Sequence, residues 1–281
     1  MRPTKASTPA DRISRNIAVV TLAASTVTLM GIAAPAATAS AVANDFANTS
    51  PVPSSIAPAG SAIGPTEIAT TAEVAARNLP YSFNKNKGFA PRDAIRWIDR
   101  TKTSNIVIVA PHAVVHHRND HLKAADTFTG GLAETLADRI GASVLTTTGE
   151  VSDWNEDWQT RDDEFTRVLH SLPTNSIIVD LHGMDNSSSR ADISVGKSKK
   201  DSGATKALAK RIREHFHGDT VIDGKFNATG HYTVIRHMQE RGHDGVQVEI
   251  SERFRNPANL RVGHTVDALA GALNQTDQLN R

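Results

Sequence analysis

The sequence predicts an α/β fold, a three-layer sandwich in which helices cover both faces of a mostly parallel sheet. Three short runs are apolar on both faces and rich in β-branched residues, as buried parallel strands are: residues 105–110, 176–181 and 246–250. A weaker run covers residues 143–147. Helical patterns separate these runs, and an alternation of strands and helices is typical of a parallel α/β sheet.

The helical patterns are spacings of three and four between apolar residues. The first ends at Gly141, a residue that commonly follows the last turn of a helix. The four patterns are Phe128, Leu132, Leu136 and Ile140; then Phe165, Val168, Leu169 and Leu172; then residues 204–216; then Val262, Val266, Leu269 and Leu273.

Charge and cysteine content exclude several classes of protein. The 281 residues carry 31 Lys and Arg against 30 Asp and Glu, and this balance argues against a nucleic-acid-binding protein. The absence of cysteine excludes disulfides, a thiolate nucleophile and cysteine-bound zinc. Any metal ion must therefore be held by nitrogen and oxygen atoms.

The first 71 residues are predicted to lie outside the folded domain. Four basic residues precede an uncharged stretch from residue 17 to about residue 34, which predicts a signal peptide over residues 1–43 with cleavage after Ala43. An uncleaved anchor is the alternative, because the stretch nearly reaches the ~20 apolar residues of a spanning helix. Residues 44–71 hold four prolines and predict a disordered linker. Residues 72–281 form one predicted domain of a secreted, extracytoplasmic protein without stable membrane insertion.

Histidines follow the first predicted strand, at the edge where parallel sheets bind ligands. His112 is the second residue after the strand, and His116, His117 and His121 follow within ten residues. Imidazole is a good zinc ligand, and a catalytic zinc site needs three protein ligands. His112 is the strongest candidate, while the choice between His116 and His117 stays open. The competing interpretation is a polar surface loop.

The predicted strands over residues 176–181 and 246–250 also contain or precede residues suited to catalysis. Asp180 and His182 alternate with Leu181 and so share a face, which lets the carboxylate orient the imidazole. Glu249 lies inside an apolar run, and a buried carboxylate is costly unless it is paired or functional. It is a candidate general base that takes a proton from water and returns it to a leaving nitrogen. An ion pair with Arg253 or Arg255 is the structural alternative.

Cationic side chains are needed to hold a substrate and an oxyanion. Arg190, eight residues after His182, is predicted for that role, and Arg118 and Lys123 are alternatives. Several other mechanisms find no support, since the sequence contains no G-x-S-x-G, no H-E-x-x-H and no P-loop motif.

The segments PHAVVHHR, KAADTFTGGLAETLA, VDLHGM and VQVEIS together resemble the N-formylglutamate amidohydrolase-like family. That family is related to zinc carboxypeptidases, aspartoacylases and poly-γ-glutamate hydrolases, and the resemblance covers residues 106–251. It implies a phosphorylase/hydrolase-like, zinc exopeptidase-like fold with one Zn²⁺ per chain. It also implies that His112 is the first ligand, His182 the third and Glu249 the general base.

The second ligand departs from the family pattern, because relatives commonly place a Glu a few residues after the first His and this chain has none there. His117, five residues after His112, best matches the spacing in poly-γ-glutamate hydrolases and completes a predicted three-histidine site. Asp180 and His116 are predicted to support the ligands. The predicted substrate-binding residues are Arg118, Lys123 and Asp126, and Arg190 is predicted to act with Glu249 in catalysis.

These features predict a secreted zinc-dependent amidohydrolase or peptidase. Free N-formylglutamate is a cytoplasmic metabolite, so an extracellular amide suits an exported enzyme better: a γ-glutamyl polymer, a cell-wall peptide or an acylated amino acid. The alternative is a noncatalytic binding module that keeps the hydrolase fold.

Overall fold

The computed structural model describes residues 63–118, 121–152, 158, 161–187, 190–216 and 220–279. The predicted signal peptide and residues 44–62 of the predicted linker lie outside them. In chain order the elements are α1 (Pro65–Asn86), β1 (Ile95–Ile98), β2 (Ile106–Ala110), β3 (His116–Arg118), β4 (His121–Lys123), α2 (Thr129–Ile140), β5 (Ser143–Thr147), α3 (Glu164–Ser171), β6 (Ile177–Met184), β7 (Ile193–Val195), α4 (Gly203–His215), β8 (Ile222–Asp223), α5 (Val234–Glu240), β9 (Asp244–Ser251), α6 (Glu252–Arg255), a 3-10 turn (Pro257–Asn259) and α7 (Val262–Leu279).

The main sheet has seven strands in the order β1-β5-β2-β6-β9-β7-β8. Its centre, β5-β2-β6-β9, is parallel throughout and consists of the four strands that the apolar runs predict. The edges are mixed, because β1 runs antiparallel to β5 and β7 antiparallel to β9, while β8 is parallel to β7. The predicted α/β sandwich with a mostly parallel sheet is confirmed.

Helices form a layer on each face of the sheet. The chain passes from β2 to β5 in one direction and from β5 to β6 in the other, so right-handed crossovers place α2 and α3 on opposite faces. Helices α1, α2, α4 and α7 pack together in one layer. In the other layer α5 packs on β6 and β9, and His170 of α3 meets His237 of α5 at 2.8 Å between their Nε2 atoms.

The reversal of direction locates the binding crevice. Strand β2 is followed in the chain by β5 on one side of it, whereas β6 lies on its other side. The carboxyl ends of β2 and β6 therefore flank a switch point, where open α/β sheets leave room for a ligand. Residues that follow β2 and residues that end β6 meet at this point.

The folded part begins earlier than the predicted domain boundary at residue 72. Helix α1 begins at Pro65, and Thr70 and Thr71 are buried within it. Proline suits the first turn of a helix, and the Glu67 carboxylate accepts a hydrogen bond from the Gly64 N–H at 2.9 Å. The four prolines of residues 44–71 predict a linker over that whole range, but the last of these prolines, Pro65, is the first residue of helix α1.

No helix of the described residues combines the length and the apolar character that crossing a bilayer requires.

Candidate metal centre

Three donor atoms converge at the switch point. His112 Nδ1 and His182 Nδ1 lie 3.1 Å apart, and Asp126 Oδ2 lies 3.5 Å from the first and 3.3 Å from the second. Among the described residues, these three side chains are the group of His, Asp and Glu that can hold a metal ion. Tetrahedral zinc with bonds of about 2.0–2.2 Å separates its ligand atoms by about 3.3–3.6 Å. The three donor atoms, 3.1–3.5 Å apart, are therefore spaced closely enough to hold one metal ion of the size of zinc.

The backbone brings Asp126 to His112 across 14 residues. The Asp126 N–H donates to the His112 carbonyl at 2.8 Å, and the Thr129 side chain and N–H both donate to the Asp126 carbonyl. The residue before α2, Phe128, adopts a left-handed conformation with φ of 71°. This turn fixes the carboxylate against the strand end.

The pKa values of the three side chains reflect their contact. Burial alone would raise the pKa of Asp126, but its hydrogen bonds with His112 and His182 lower it well below its usual value. Burial lowers the pKa of His112, although Asp126 opposes this. Burial also acts to lower the pKa of His182, but Asp180 and Asp126 raise it well above its usual value. The Asp126 carboxyl group is therefore ionised at neutral pH, and a carboxylate beside two imidazoles can bind a cation.

Asp180 lies behind His182, on the side away from the other donor atoms. Its carboxylate is fully buried, and its Oδ2 lies 3.0 Å from His182 Nε2. This negative charge favours a proton on Nε2, so that Nδ1, which faces the other two donor atoms, is the atom that can bind a cation. Asp180 thus has the position that the alternation along the strand predicts for it.

Strand β3 contains His116 and His117, between which the sequence does not choose the second ligand. Neighbouring side chains of a strand point to opposite faces, so only one of them can face the centre. His116 does so: its ring stacks on His112 with centroids 4.0 Å apart, and burial lowers its pKa to about 3. The other ring, that of His117, instead meets Glu150 Oε1 at 2.6 Å through Nε2. The structure therefore brings Asp126, not His117, to His112 and His182.

Glu249 lies beside the centre on the next strand. The parallel pairing of β6 with β9 sets Glu249 in register with His182, and paired residues of a parallel sheet present their side chains to the same face. Burial raises the pKa of Glu249 to about 7, and Gln247 donates to its Oε1 at 3.0 Å. Neither arginine of the structural alternative engages this carboxylate directly, since Arg253 pairs with Asp192 and Arg255 donates to backbone carbonyls.

The centre opens into a cavity of about 550 Å³. Arg118 of β3 and Lys123 of β4, which are predicted to bind substrate, line this cavity. Its lining also includes Phe226, Asn227 and Tyr232, for which the sequence predicts no role. Arg190 does not line this cavity but a neighbouring one. We refer to the first cavity as the cleft.

Arg255 is a residue of this region whose function the sequence does not reveal. Its buried guanidinium donates to the carbonyls of Thr127 at 2.8 Å, Met184 at 2.8 Å and Ile250 at 2.9 Å. These residues directly follow Asp126, end the strand of His182 and directly follow Glu249. Gly183 leaves room for the guanidinium, because a Cβ there would lie 2.7 Å from Arg255 Nε. The Arg255 side chain thus links by hydrogen bonds the segments that contain Asp126, His182 and Glu249.

We expect Arg255→Met to lower the free energy of unfolding by about 3 kcal/mol, since buried carbonyls lose their donors. Urea denaturation measures this change. Arg167→Met is the matched control, because Arg167 is exposed and pairs with an exposed acid; it should shift stability by less than about 0.5 kcal/mol. Equal stability of the Arg255 variant and the parent protein would contradict the structural role.

No family model and no curated protein matches this chain. Among solved structures, N-formylglutamate amidohydrolase from Ralstonia eutropha JMP134 is 15% identical, with 66% of this chain and 99% of that chain covered at a TM-score of 0.43. The chain is similar to known hydrolases.

Two further matches belong to the wider group that the motifs resemble. A bacteriophage poly-gamma-glutamate hydrolase is 13% identical, with 72% of this chain and 97% of that chain covered at a TM-score of 0.42. A metallo-carboxypeptidase from Burkholderia cenocepacia is 12% identical, with 66% of this chain and 61% of that chain covered at a TM-score of 0.42.

Proposed function

We propose that the protein is a secreted, zinc-dependent hydrolase of amide or peptide bonds. The observation that carries this proposal is the convergence of His112 Nδ1, Asp126 Oδ2 and His182 Nδ1, at 3.1–3.5 Å from one another, beside Glu249. Two imidazoles and one carboxylate are a common ligand set of catalytic zinc, which leaves one position for water. One zinc ion per chain follows from one such group.

The residues of the centre have separate roles in the proposed hydrolysis. His112, Asp126 and His182 would hold the ion, and Asp180 and His116 keep the two imidazoles in orientation. When bound, zinc supplies a Lewis acid that makes water more acidic and polarises a carbonyl. Glu249 takes a proton from the attacking water as the C–O bond forms.

The same carboxyl group completes the reaction. Glu249 passes its proton to the leaving nitrogen as the C–N bond breaks, so one residue serves first as base and then as acid. A group with a pKa of about 7 suits both steps near neutral pH. Arg118 and Lys123 line the cleft, where they can hold negative charge on the substrate.

The resemblance of the sequence motifs favours an amide bond, and the predicted signal peptide favours an extracellular substrate. Candidates are γ-glutamyl polymers, cell-wall peptides and acylated amino acids. The alternative of a noncatalytic module drew support from the missing Glu after His112. Asp126, 14 residues after His112, places a carboxylate beside the two imidazoles, and a module without catalysis has no need of the partly buried Glu249.

Metal dependence of hydrolysis tests the proposal. We expect the purified protein to hydrolyse N-acyl amino acids or γ-glutamyl peptides, to lose about 100-fold or more of that activity on chelation, and to regain it with zinc. Release of free amine measures the rate. Activity that survives complete removal of metal would contradict the mechanism.

A further inference from the structure

Gln247 is a polar residue of the cleft and lies two residues before Glu249 on β9. Side chains alternate along a strand, so Gln247 and Glu249 project from the same face of the sheet. The Gln247 side chain is 6% exposed, and its neighbours in the strand are Val246 and Val248. A buried amide carries a free-energy cost unless hydrogen bonds engage it. Its partners therefore indicate why an amide lies at this position.

The amide group of Gln247 engages the proposed general base. Its Nε2 donates to Glu249 Oε1 at 3.0 Å, and the other carboxylate oxygen, Oε2, receives no hydrogen bond from the described residues. The last torsion of a glutamate side chain has broad preferences, so a carboxylate held by no donor can rotate. The contact with Gln247 restrains this rotation, turns Oε1 toward the amide and leaves Oε2 available to other groups.

The register of the sheet explains why a neutral donor suits this position. Gln247 is paired with Asp180 of β6, as Glu249 is with His182, and paired residues of a parallel sheet present their side chains to the same face. Gln247 thus has one acid beside it on the neighbouring strand and another on its own strand. A third acid here would repel both, and a cation would lower the pKa of Glu249 and weaken it as a base. An amide donates without adding charge.

We propose that Gln247 is a positioning residue of the reaction: by holding Glu249 Oε1, it makes Oε2 the atom that takes the proton from water. This inference rests on the proposed function and deepens it. An O–H bond of the water breaks as an O–H bond forms at Oε2. The same proton then passes from Oε2 to the leaving nitrogen as the C–N bond breaks. Gln247 acts through Glu249 and itself neither gains nor loses a proton.

Gln247→Met tests this role, because methionine has a similar length and cannot donate a hydrogen bond. Kinetics of amide hydrolysis and metal analysis are measured on the same sample. We expect kcat to fall about ten-fold, the loss that corresponds to one hydrogen bond to a charged group. KM and zinc content should stay within about two-fold of the parent values, since the side chain is not among the three converging donors.

A double variant shows whether Gln247 acts through Glu249. If it does, Gln247→Met should cause no further loss of kcat in a protein that already carries Glu249→Gln, because the residue to be positioned no longer serves as a base. Losses that multiply in the double variant would show that Gln247 acts independently of Glu249. That result would overturn the proposal, and so would an unchanged kcat in Gln247→Met.

Gln239→Met is the matched control. Gln239 is 8% exposed, and its Nε2 donates to Asp201 Oδ1 at 3.2 Å and to the Gly245 carbonyl at 3.3 Å. It is thus a second buried glutamine with engaged donors, but it does not line the cleft. Its replacement should lower the free energy of unfolding without changing kcat. An equal loss of kcat in the Gln239 and Gln247 variants would reveal a general effect of buried amides and would overturn the proposal.

A measurement without turnover separates this inference from the proposed function. Zinc-free protein is labelled with ¹³C at the carboxyl groups of its glutamates, and the resonance that is missing from Glu249→Gln belongs to Glu249. We expect the midpoint of its titration to move to higher pH by about one unit in Gln247→Met, because loss of the donor disfavours the ionised carboxylate. Gln239→Met should leave this midpoint unchanged.

The charged groups that act on Glu249 are the same in the parent protein and in both glutamine variants: His182, Asp126 and Asp180. A shift confined to Gln247→Met therefore reports the lost hydrogen bond. An unchanged midpoint would overturn the positioning contact. A shifted midpoint in a protein that hydrolyses no amide would support the contact and refute the proposed function.

Discussion

Replacement of Glu249 by glutamine is expected to lower kcat about 10²–10⁴-fold, the usual contribution of a general base. The amide keeps the size of the side chain and its place beside His182, but it cannot accept the proton of the attacking water. Metal content should stay that of the parent protein, because Glu249 is not among the three converging donors. Amide hydrolysis and metal analysis of the same sample measure the two effects.

Glu252→Gln is the control, since Glu252 is exposed in α6 after the end of β9. It should leave kcat unchanged. A pH profile adds a second test: the base must be ionised, so activity should fall as pH decreases through about 7, the pKa to which burial raises Glu249. A bound cation would move this limb to lower pH. Full activity of the Glu249 variant would show that another group acts as the general base.

Replacement of either ligating imidazole, in His112→Ala or His182→Ala, is expected to abolish metal-dependent hydrolysis to below detection. Each variant removes one of three donors and leaves Asp126 with a single imidazole beside it. Zinc binding should weaken by several orders of magnitude, because structural and catalytic sites alike require at least three protein ligands. Hydrolysis and zinc affinity by competition with a chelating dye measure the loss.

His215→Ala is the matched control, because His215 lies at the end of α4 and its Nδ1 contacts a carbonyl of its own helix. It should keep both zinc and activity. Normal activity of His182→Ala would show that the three-donor centre is not the reaction site.

Much of the fold could be predicted because it depends on local patterns. Apolar β-branched runs identify the four central strands, and the spacing of Leu132 and Leu136 before Gly141 identifies α2. The strand-end rule then singles out His112, His182 and Glu249, since parallel strands place their carboxyl ends at one edge. These three residues are fixed by the strands themselves.

Residues placed by loops could not be predicted in the same way. Asp126, which the sequence analysis predicts to bind substrate, instead reaches the two imidazoles through a turn held by backbone hydrogen bonds, and no periodic pattern in the sequence indicates that turn. His117 matches a family spacing, but the alternation of β3 turns it toward Glu150. The sequence predicts for Arg255 only the alternative of an ion pair with Glu249, because no sequence pattern indicates hydrogen bonds to distant carbonyls. Arg190 lines a cavity beside the cleft, which only the tertiary structure reveals.

The most direct test of the proposed centre is the zinc content of three purified proteins: the parent, Asp126→Ala and His117→Ala. Mass spectrometry of the metal after dialysis counts zinc ions per chain. The geometry predicts about one zinc in the parent and in His117→Ala, and loss of zinc in Asp126→Ala. Retention of zinc in Asp126→Ala together with its loss in His117→Ala would contradict the centre formed by His112, Asp126 and His182.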